Sequence, residues 1–234
     1  MSHQIPHDTV LVPETTLPGG LVVPAFRVGR FLASQGPDGL PVSVADRAPW
    51  VSIDYHNARK VCAAAGLALI TETQALALAW QASQQAANWT GGAVGEGDLF
   101  QGLRKGTDFC ARPATFETAD TDEHRWLQLA NGERICDLNG NAYSWVFDDI
   151  QGDENGLIAK AFAAESPSIA TAPFPSTEKG MGWRPSAGSN WSGYALVRGG
   201  CWLSVSYAGA FNLGDGWPGS AYGVVGFRCT YPGL

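Results

Sequence analysis

The sequence predicts an α+β fold in which two helices come early and an irregular, loop-rich antiparallel sheet follows. Between residues 54 and 86, apolar residues recur at helical spacing in two separate stretches. After residue 88 the helical signal ends, and short apolar pieces alternate with clusters of Gly, Asn, Asp and Pro. The 234 residues include 29 Gly and 14 Pro, which favours a loop-rich domain over a helical bundle.

The first helix is predicted over residues 55–65. Asp54 is a suitable N-cap, because its carboxylate can accept hydrogen bonds from the first free amides of a helix. Apolar residues at positions 58, 61, 62 and 65 then recur on one helical face. Gly66 follows as a typical C-cap.

The second helix is predicted over residues 74–86, a stretch rich in Ala, Leu and Gln, which are strong helix formers. A short extended run, residues 67–70, precedes it. Residues 71–74, Thr-Glu-Thr-Gln, then resemble the capping sequence of a helix N-terminus.

Three further patterns predict strands. Residues 25–33 alternate apolar and polar side chains, and residues 49–53 form a second short strand candidate. Residues 126–129 and 134–136 flank an Asn-Gly dipeptide at 131–132, a pattern typical of a β-hairpin.

No linker or internal repeat divides the chain, so one domain is predicted over residues 25–234. Residues 1–24 are expected to form an extended, Pro-punctuated N-terminal arm. The N-terminus has neither the basic nor the apolar segment of a signal peptide, so we expect cytoplasmic synthesis. No apolar run is long enough to span a bilayer, and membrane insertion is not expected.

The charge and the cysteines exclude several classes of protein. A net charge of −7 argues against nucleic acid and against adhesion to anionic membranes. The five cysteines are odd in number and lack a C-x-x-C spacing, which excludes a complete disulfide framework and a zinc ribbon. Buried free thiols are the favoured interpretation, and a Cys201–Cys229 disulfide stays open.

The segment from residue 198 to residue 228 stands out because two rigid brackets enclose an aperiodic stretch. The first bracket is Arg198-Gly199-Gly200-Cys201-Trp202 and the second ends in Gly226-Phe227-Arg228. A long aperiodic stretch in a compact domain is usually functional or disordered, and the aromatic content here argues against disorder. We expect the two arginines to hold the backbone by donating to loop carbonyls or acidic neighbours.

Four motifs occur in order along the chain: PWVSIDYHNA at 49–58, GLALITETQ at 66–74, DLNGNAYSW at 137–145, and the two brackets VRGGCW at 197–202 and GFR at 226–228. Together they resemble the formylglycine-generating enzyme (sulfatase-modifying factor) family. This resemblance covers roughly residues 26–229 and implies the C-type lectin fold of the formylglycine-generating-enzyme subtype.

The same resemblance allows the function to be compared with the chemistry of the family. Its oxidases bind copper through two cysteines beyond the first bracket, but no cysteine lies between Trp202 and Arg228. The related iron-dependent sulfoxide synthases need three clustered histidines, and the four histidines here lack that spacing. We therefore expect no enzymatic activity, no catalytic residues and no required cofactor.

Calcium is a lesser possibility that the resemblance raises. The calcium loop of the enzymes matches Asp137, the carbonyls of Gly140 and Ala142, and Ser144. Ser144 replaces the acidic ligand of the family, and a hard cation favours carboxylates. A structural turn is the favoured interpretation.

Within the brackets, Ala208–Leu213, Trp217-Pro218 and Val225–Arg228 resemble the variable region of diversity-generating retroelement proteins, which use the same lectin-like fold. The resemblance implies that a retroelement replaces residues on a fixed backbone through changes at adenines, which reach many side chains but not Trp. Scaffold positions are then Ala208, Ala210, Phe211, Leu213, Trp217 and Pro218. The candidate variable, ligand-binding residues are Leu203, Ser204, Ser206, Tyr207, Asn212, Gly214, Asp215, Gly219, Tyr222 and Val224.

The sequence therefore predicts a non-enzymatic protein that binds an external protein or glycan through this region. Tyr207 and Tyr222, with Leu203, are the expected anchors, because tyrosines give wide contact at small entropic cost; Asp215 is the expected polar contact. Incorporation in a phage virion, with homo-oligomerisation, is expected from the resemblance and the N-terminal arm. The alternatives are a metal-dependent oxidase and a structural virion domain.

Overall fold

A computed structural model describes residues 7–233 of the chain. Its helices are α1, Tyr55–Ala64, α2, Glu72–Ser83, and the short α3, Pro167–Ala170, and three 3-10 turns lie at Ala86–Asn88, Glu178–Gly180 and Val205–Tyr207. Its strands are all short. They are β1 Thr9–Val12, β2 Thr15–Thr16, β3 Val22–Val23, β4 Phe26–Gly29, β5 Ser34–Gln35, β6 Pro41–Val42, β7 Ala68–Leu69, β8 Trp126–Gln128, β9 Arg134–Cys136, β10 Tyr143–Val146, β11 Ala195–Arg198, β12 Leu213–Gly216, β13 Val225–Phe227 and β14 Cys229–Tyr231.

The first main sheet joins strands from the early and the late parts of the chain. Its strand order is β1-β4-β14-β7, and all its pairs are antiparallel. Val10 and Val28, paired across β1 and β4, are both fully buried. Within residues 7–24 of the expected arm, β1 pairs with β4 in this sheet, and β2 and β3 form a two-stranded sheet of their own. Residues 1–6 lie outside the described part.

The second main sheet carries both brackets. Its order is β12-β11-β10-β13, with β10 and β13 parallel and the other pairs antiparallel. Trp145 on β10 lies beside Val197 on one side and Phe227 on the other. The first bracket thus leaves the sheet at the end of β11, and the second arrives through β13.

The predicted N-terminal caps of both helices are confirmed. The carboxylate of Asp54 accepts from the amide of Asn57 at 2.8 Å and caps α1. Thr71 and Gln74 form a capping box at the start of α2, which begins two residues earlier than predicted and ends three residues earlier, at Ser83. The apolar face of α2 packs into the larger of the two main hydrophobic clusters.

Not every predicted element forms. The hairpin around the Asn-Gly dipeptide is present as β8 and β9, and the strand predicted over residues 25–33 is present as the shorter β4. Residues 49–53 do not form a strand. Ser52 adopts a left-handed φ of 59°, which breaks an extended run, and the amides of Trp50 and Ser52 bond instead to loop carbonyls.

Among residues 7–233, no helix is both long and apolar enough to cross a membrane.

Candidate ligand-binding surface

The first bracket is anchored by a buried ion pair. Arg198 and Glu72 are 5% and 0% exposed, and the Arg198 Nε donates to the Glu72 carboxylate at 2.7 Å. A second guanidinium nitrogen of Arg198 also donates to Glu72, and a third donates to the carbonyl of Phe211 at 3.2 Å. The pair thus ties β11 to α2 and to the chain between the brackets. This contact set agrees with the one expected from the sequence.

The second bracket is anchored without a carboxylate. The guanidinium of Arg228 donates to the carbonyls of Gly29, Cys136 and Asp137, at 2.6, 2.8 and 3.1 Å. Burial removes its hydration and lowers the pKa of Arg228 to about 10, although Asp137 acts in the opposite direction. Arg228 thus holds β4 and the chain after β9 at one point, as expected for a bracket residue.

Bracket glycines stand where no other residue fits. Gly199 and Gly200 have φ values of 94° and 86°, a region that glycine alone adopts readily. A Cβ atom on Gly200 would also lie 2.7 Å from the Cα of Ala208. Trp202 and Phe227, the aromatic residues of the two brackets, are buried. The brackets are therefore fixed by both backbone conformation and packing.

Between the brackets, a buried layer supports an exposed one. Ala208, Ala210, Phe211 and Leu213 are all at most 3% exposed, in agreement with their expected role as scaffold. Leu213 begins β12, a strand that the sequence did not reveal because its remaining residues are Gly, Asp and Gly. The strand forms because β11 offers a free edge to it.

Above this support lies an exposed layer, and we call nine of its exposed or half-buried residues the C-terminal face. Leu203 and Tyr207 are 58% and 57% exposed, and Tyr222 is half-buried. Its members are Leu203, Val205, Ser206, Tyr207, Gly214, Trp217, Gly219, Tyr222 and Val224.

Two assignments made from the sequence are wrong. Asn212 was expected to be a candidate contact residue, but it is 2% exposed and its side-chain amide donates to the carbonyl of Tyr207 at 2.7 Å. Trp217 was expected to be scaffold, but it is 54% exposed and packs edge-on against Tyr194. Asn212 thus belongs to the support, and Trp217 belongs to the C-terminal face.

Ser204 also has an internal role. Its hydroxyl accepts from the amide of Cys201 at 2.8 Å and donates to the hydroxyl of Tyr143 at 3.2 Å. These bonds close the turn that follows the first bracket. Ser204 is half-buried and, unlike Ser206, is engaged in holding the loop.

A cavity of about 280 Å³ lies within the C-terminal face. Gly214 and Gly216 line it and face the same side of the sheet, since alternate residues of a strand share a face. Tyr207, Tyr222 and Trp183 supply aromatic walls. The ring of Tyr222 packs against Trp145, and its hydroxyl accepts from the amide of Trp217 at 3.1 Å, so this wall is held in place.

Asp215 on β12 lies at the edge of this cavity. It is exposed and pairs with Leu196, so strand alternation directs its side chain to the opposite face from Gly214 and Gly216. Neighbouring groups remove part of its hydration and thereby raise the pKa of its carboxyl above the ordinary value. Asp215 is therefore available to a ligand at the sheet edge rather than on the cavity floor.

Sequence reasoning missed four exposed apolar residues of this surface. They are Val205, Trp217 and, outside the bracketed segment, Trp183 and Tyr194. Val205 could have been included, because Val is among the side chains that adenine changes reach. Trp183 and Tyr194 join the surface only through the fold, and no local signal marks them.

The candidate calcium ligands do not fit a cation. The Arg125 guanidinium donates to both carboxylate oxygens of Asp137, at 2.8 and 2.6 Å. The side-chain amide of Asn141 donates to the same carboxylate at 2.8 Å. A positive group thus occupies the place where calcium would need negative charge. The positions at Gly140, Ala142 and Ser144 are left without a charged ligand.

The cysteines do not form the copper pair of the oxidases. Cys201 lies beside Ser204, whereas Cys229 lies beside Cys62, with their Sγ atoms 3.1 Å apart. A Cys201–Cys229 disulfide is thereby contradicted. Among residues 7–233, no three His, Cys, Asp or Glu side chains lie together as metal ligands would.

Comparison with known proteins identifies the family. Residues 29–231 match the family described as sulfatase-modifying factor enzyme 1-like domain, and the chain belongs to this family. The fold is the C-type lectin fold of the formylglycine-generating-enzyme subtype expected from the sequence. No curated protein shows significant similarity to the chain.

Three solved structures illustrate the range of similar proteins. CarF is 12% identical with a TM-score of 0.50, over 97% of this chain and 98% of that one. Variable protein 1 of Treponema denticola is 14% identical with a TM-score of 0.45, over 95% and 93% of the two chains. The Major Tropism Determinant M1 variant is 16% identical with a TM-score of 0.46, over 93% of this chain and 51% of that one.

Proposed function

We propose that this chain is a non-enzymatic binding protein that recognises an external protein or glycan through the C-terminal face. The observation that carries the proposal is the separation of two layers within one segment. The backbone of Tyr207 is held by bonds from Trp183 and Asn212 to its carbonyl, while its side chain is 57% exposed. A side chain can therefore be exchanged there without loss of the bonds that hold the loop.

The glycines of the segment support the same separation. At Gly219 an added Cβ would meet nothing nearer than 3.7 Å, and at Gly214 it would meet only a methyl group of Val197, at 3.2 Å. Neither glycine has a positive φ. By contrast, a Cβ at Gly216 would lie 2.6 Å from the Trp145 ring. The C-terminal face thus has room for new side chains at Gly214 and Gly219, whereas the packed position Gly216 has none.

A diversity-generating retroelement is the proposed source of such exchange, on the strength of the sequence resemblance in residues 198–228. We further propose that the protein is displayed on a phage virion, where several copies would raise the avidity of individually weak contacts. Binding would be centred on Tyr207, Tyr222 and Leu203, because large side chains in the middle of a patch carry most of the affinity.

The direct test is a pair of designed libraries of the full chain. In the first, the residues at 203, 205, 206, 207, 214 and 219 are randomised; in the second, the buried residues at 208, 210, 211 and 213 are randomised. Both are displayed on yeast and selected against hen lysozyme and against a panel of immobilised glycans. We expect folded members and new binders from the first library alone. Equal loss of folding in both libraries would refute an exchangeable face.

Neighbouring DNA provides a second test, specific to the retroelement. We expect a near-copy of the codons for residues 198–228 that differs at adenines and lies beside a reverse transcriptase gene. Binding activity without such a copy would leave a binding protein whose face is not diversified in this way.

A further inference from the structure

Aromatic side chains dominate the walls of the cavity within the C-terminal face. Four of them line it, namely Tyr143, Trp183, Tyr207 and Tyr222. Among the described residues that line the cavity, there is no Lys, Arg or His, and Asp215 supplies the one carboxylate. The cavity therefore combines four π-systems with a negative charge at its edge and with no competing positive charge.

Two of the four rings are held in place through their hydroxyl groups. The Tyr143 hydroxyl accepts from the hydroxyl of Ser204 at 3.2 Å, and the Tyr222 hydroxyl accepts from the amide of Trp217 at 3.1 Å. The Tyr222 ring also packs against Trp145, with the ring centroids 6.0 Å apart. Because these rings are ordered before a ligand arrives, binding costs less conformational entropy at this wall.

The other two rings stand on backbone segments that bond to each other. The amide of Trp183 donates to the carbonyl of Tyr207 at 3.0 Å, and the carbonyl of Trp183 accepts from the amide of Leu213 at 2.8 Å. The Trp183 ring also stacks on Trp191, with the centroids 6.1 Å apart and the planes 19° from parallel. Trp183 is 36% and Tyr207 57% exposed, so both keep ring surface available to a ligand.

Walls of this kind favour an organic cation without hydrogen-bond donors. The faces of Trp and Tyr rings attract a positive charge within about 6 Å. The methyl groups of a quaternary ammonium ion bury apolar surface against the rings, and its charge needs no acceptor. A primary ammonium or a guanidinium would instead lose hydrogen bonds to water that aromatic walls do not replace.

We propose that this cavity binds the quaternary ammonium group of a small ligand, such as a choline head group. Its volume of about 280 Å³ is at the lower end for ligand sites, which fits a single head group. The carboxylate of Asp215 adds a favourable field at the edge of the cavity. This inference rests on the proposed function, since the cavity lies in the C-terminal face, and it assigns a ligand class to the side chains that this chain carries there.

The test is isothermal titration calorimetry of the full-length protein with choline and with dimethylbutanol, the uncharged analogue in which a carbon atom replaces the nitrogen. The two compounds have nearly the same shape, so the comparison isolates the charge. We expect a Kd for choline below about 1 mM, and binding of the uncharged analogue at least about tenfold weaker. Equal affinities for the two compounds, or no binding of choline, would overturn the proposal.

Three variants test the walls of the cavity. Trp183→Leu keeps apolar bulk but removes the ring, and it should weaken choline binding at least about fivefold. Tyr207→Phe keeps the ring and should change the Kd by less than about twofold. Phe109→Leu is the control, because Phe109 is 91% exposed and lies outside the cavity, and it should leave the Kd unchanged. An unchanged Kd in Trp183→Leu would contradict the assignment, and the comparison of the two compounds holds even if a variant does not fold.

This outcome can be separated from that of the library selection. If the first library yields new binders but the natural chain does not bind choline, the exchangeable face stands and the assigned ligand class is wrong. If choline binds as expected but neither library yields folded binders, the cavity is a cation site on a face that is not exchangeable.

Discussion

At the scale of single residues, Val205 shows how the C-terminal face is held under strain. Its φ is 49°, in the left-handed region that β-branched residues rarely adopt, and its side chain is 58% exposed. Its amide donates to the carbonyl of Arg104 at 2.8 Å, which fixes the backbone there. The backbone conformation at position 205 is therefore imposed by the loop and not by the intrinsic preference of valine.

We predict that Val205→Asn stabilises the protein by about 1 kcal/mol, because Asn tolerates the left-handed region. Leu203→Asn is the control: position 203 is equally exposed but has no positive φ, and it should gain nothing. Urea denaturation of both variants measures the difference. A loss of stability in Val205→Asn would mean that the valine side chain contributes packing that outweighs the strain.

Glycines at the bracket and at the face should respond differently to the same change. Gly200→Ala should cost about 2–3 kcal/mol of unfolding free energy, since the new Cβ meets backbone and the φ is unfavourable. Gly219→Ala should change it by less than about 0.5 kcal/mol. Both are measured by chemical denaturation. Similar losses of unfolding free energy at the two positions would contradict the division into rigid brackets and an exchangeable C-terminal face.

At the scale of secondary-structure elements, the Arg198–Glu72 pair joins β11 to α2 in the interior. A buried ion pair is a weak source of stability when intact, but removing one partner leaves a buried charge unpaired. The arrangement therefore matters most for fixing how the first bracket leaves the sheet.

Arg198→Met and Glu72→Met should each destabilise the protein by about 3–5 kcal/mol, and the double variant should be more stable than either. A double-mutant cycle in urea gives the coupling energy. Lys105→Met, which breaks the exposed pairs with Asp120 and Asp122, should leave the stability almost unchanged. Additive effects of the two Met substitutions would show that the pair does not act as a unit.

At the scale of the whole molecule, the fold separates stability from recognition. The support residues belong to the buried clusters that also contain the helices and the main sheets, whereas the C-terminal face contributes little to them. Changes to the face should therefore be nearly neutral for folding.

We predict that simultaneous replacement of Leu203, Tyr207 and Gly219 by serine shifts the Tm by no more than about 3 °C. The control Phe211→Ala should cost about 3–5 kcal/mol, because it empties a fully buried site. Thermal unfolding measures both. A large drop in Tm for the face variant would place those side chains in the stabilising core.

The sequence by itself determined the elements whose causes lie within a few residues. The caps at Asp54 and Thr71 and the Asn-Gly turn of the hairpin are local hydrogen-bonding patterns, so they could be predicted. The brackets were identifiable because their glycines and arginines are unusual in composition and spacing. Family membership followed from the order of these motifs.

Only the tertiary structure decided which residues between the brackets are buried and which are exposed. Asn212 is buried and Trp217 exposed, against expectation, because packing across the fold, and not the local sequence, sets their surroundings. The contact of Cys229 with Cys62 spans 167 positions, and no local pattern encodes such a distance. Local chemistry therefore specifies the caps, the turn and the brackets. Packing between strands and helices that are distant in sequence decides which side chains are exposed.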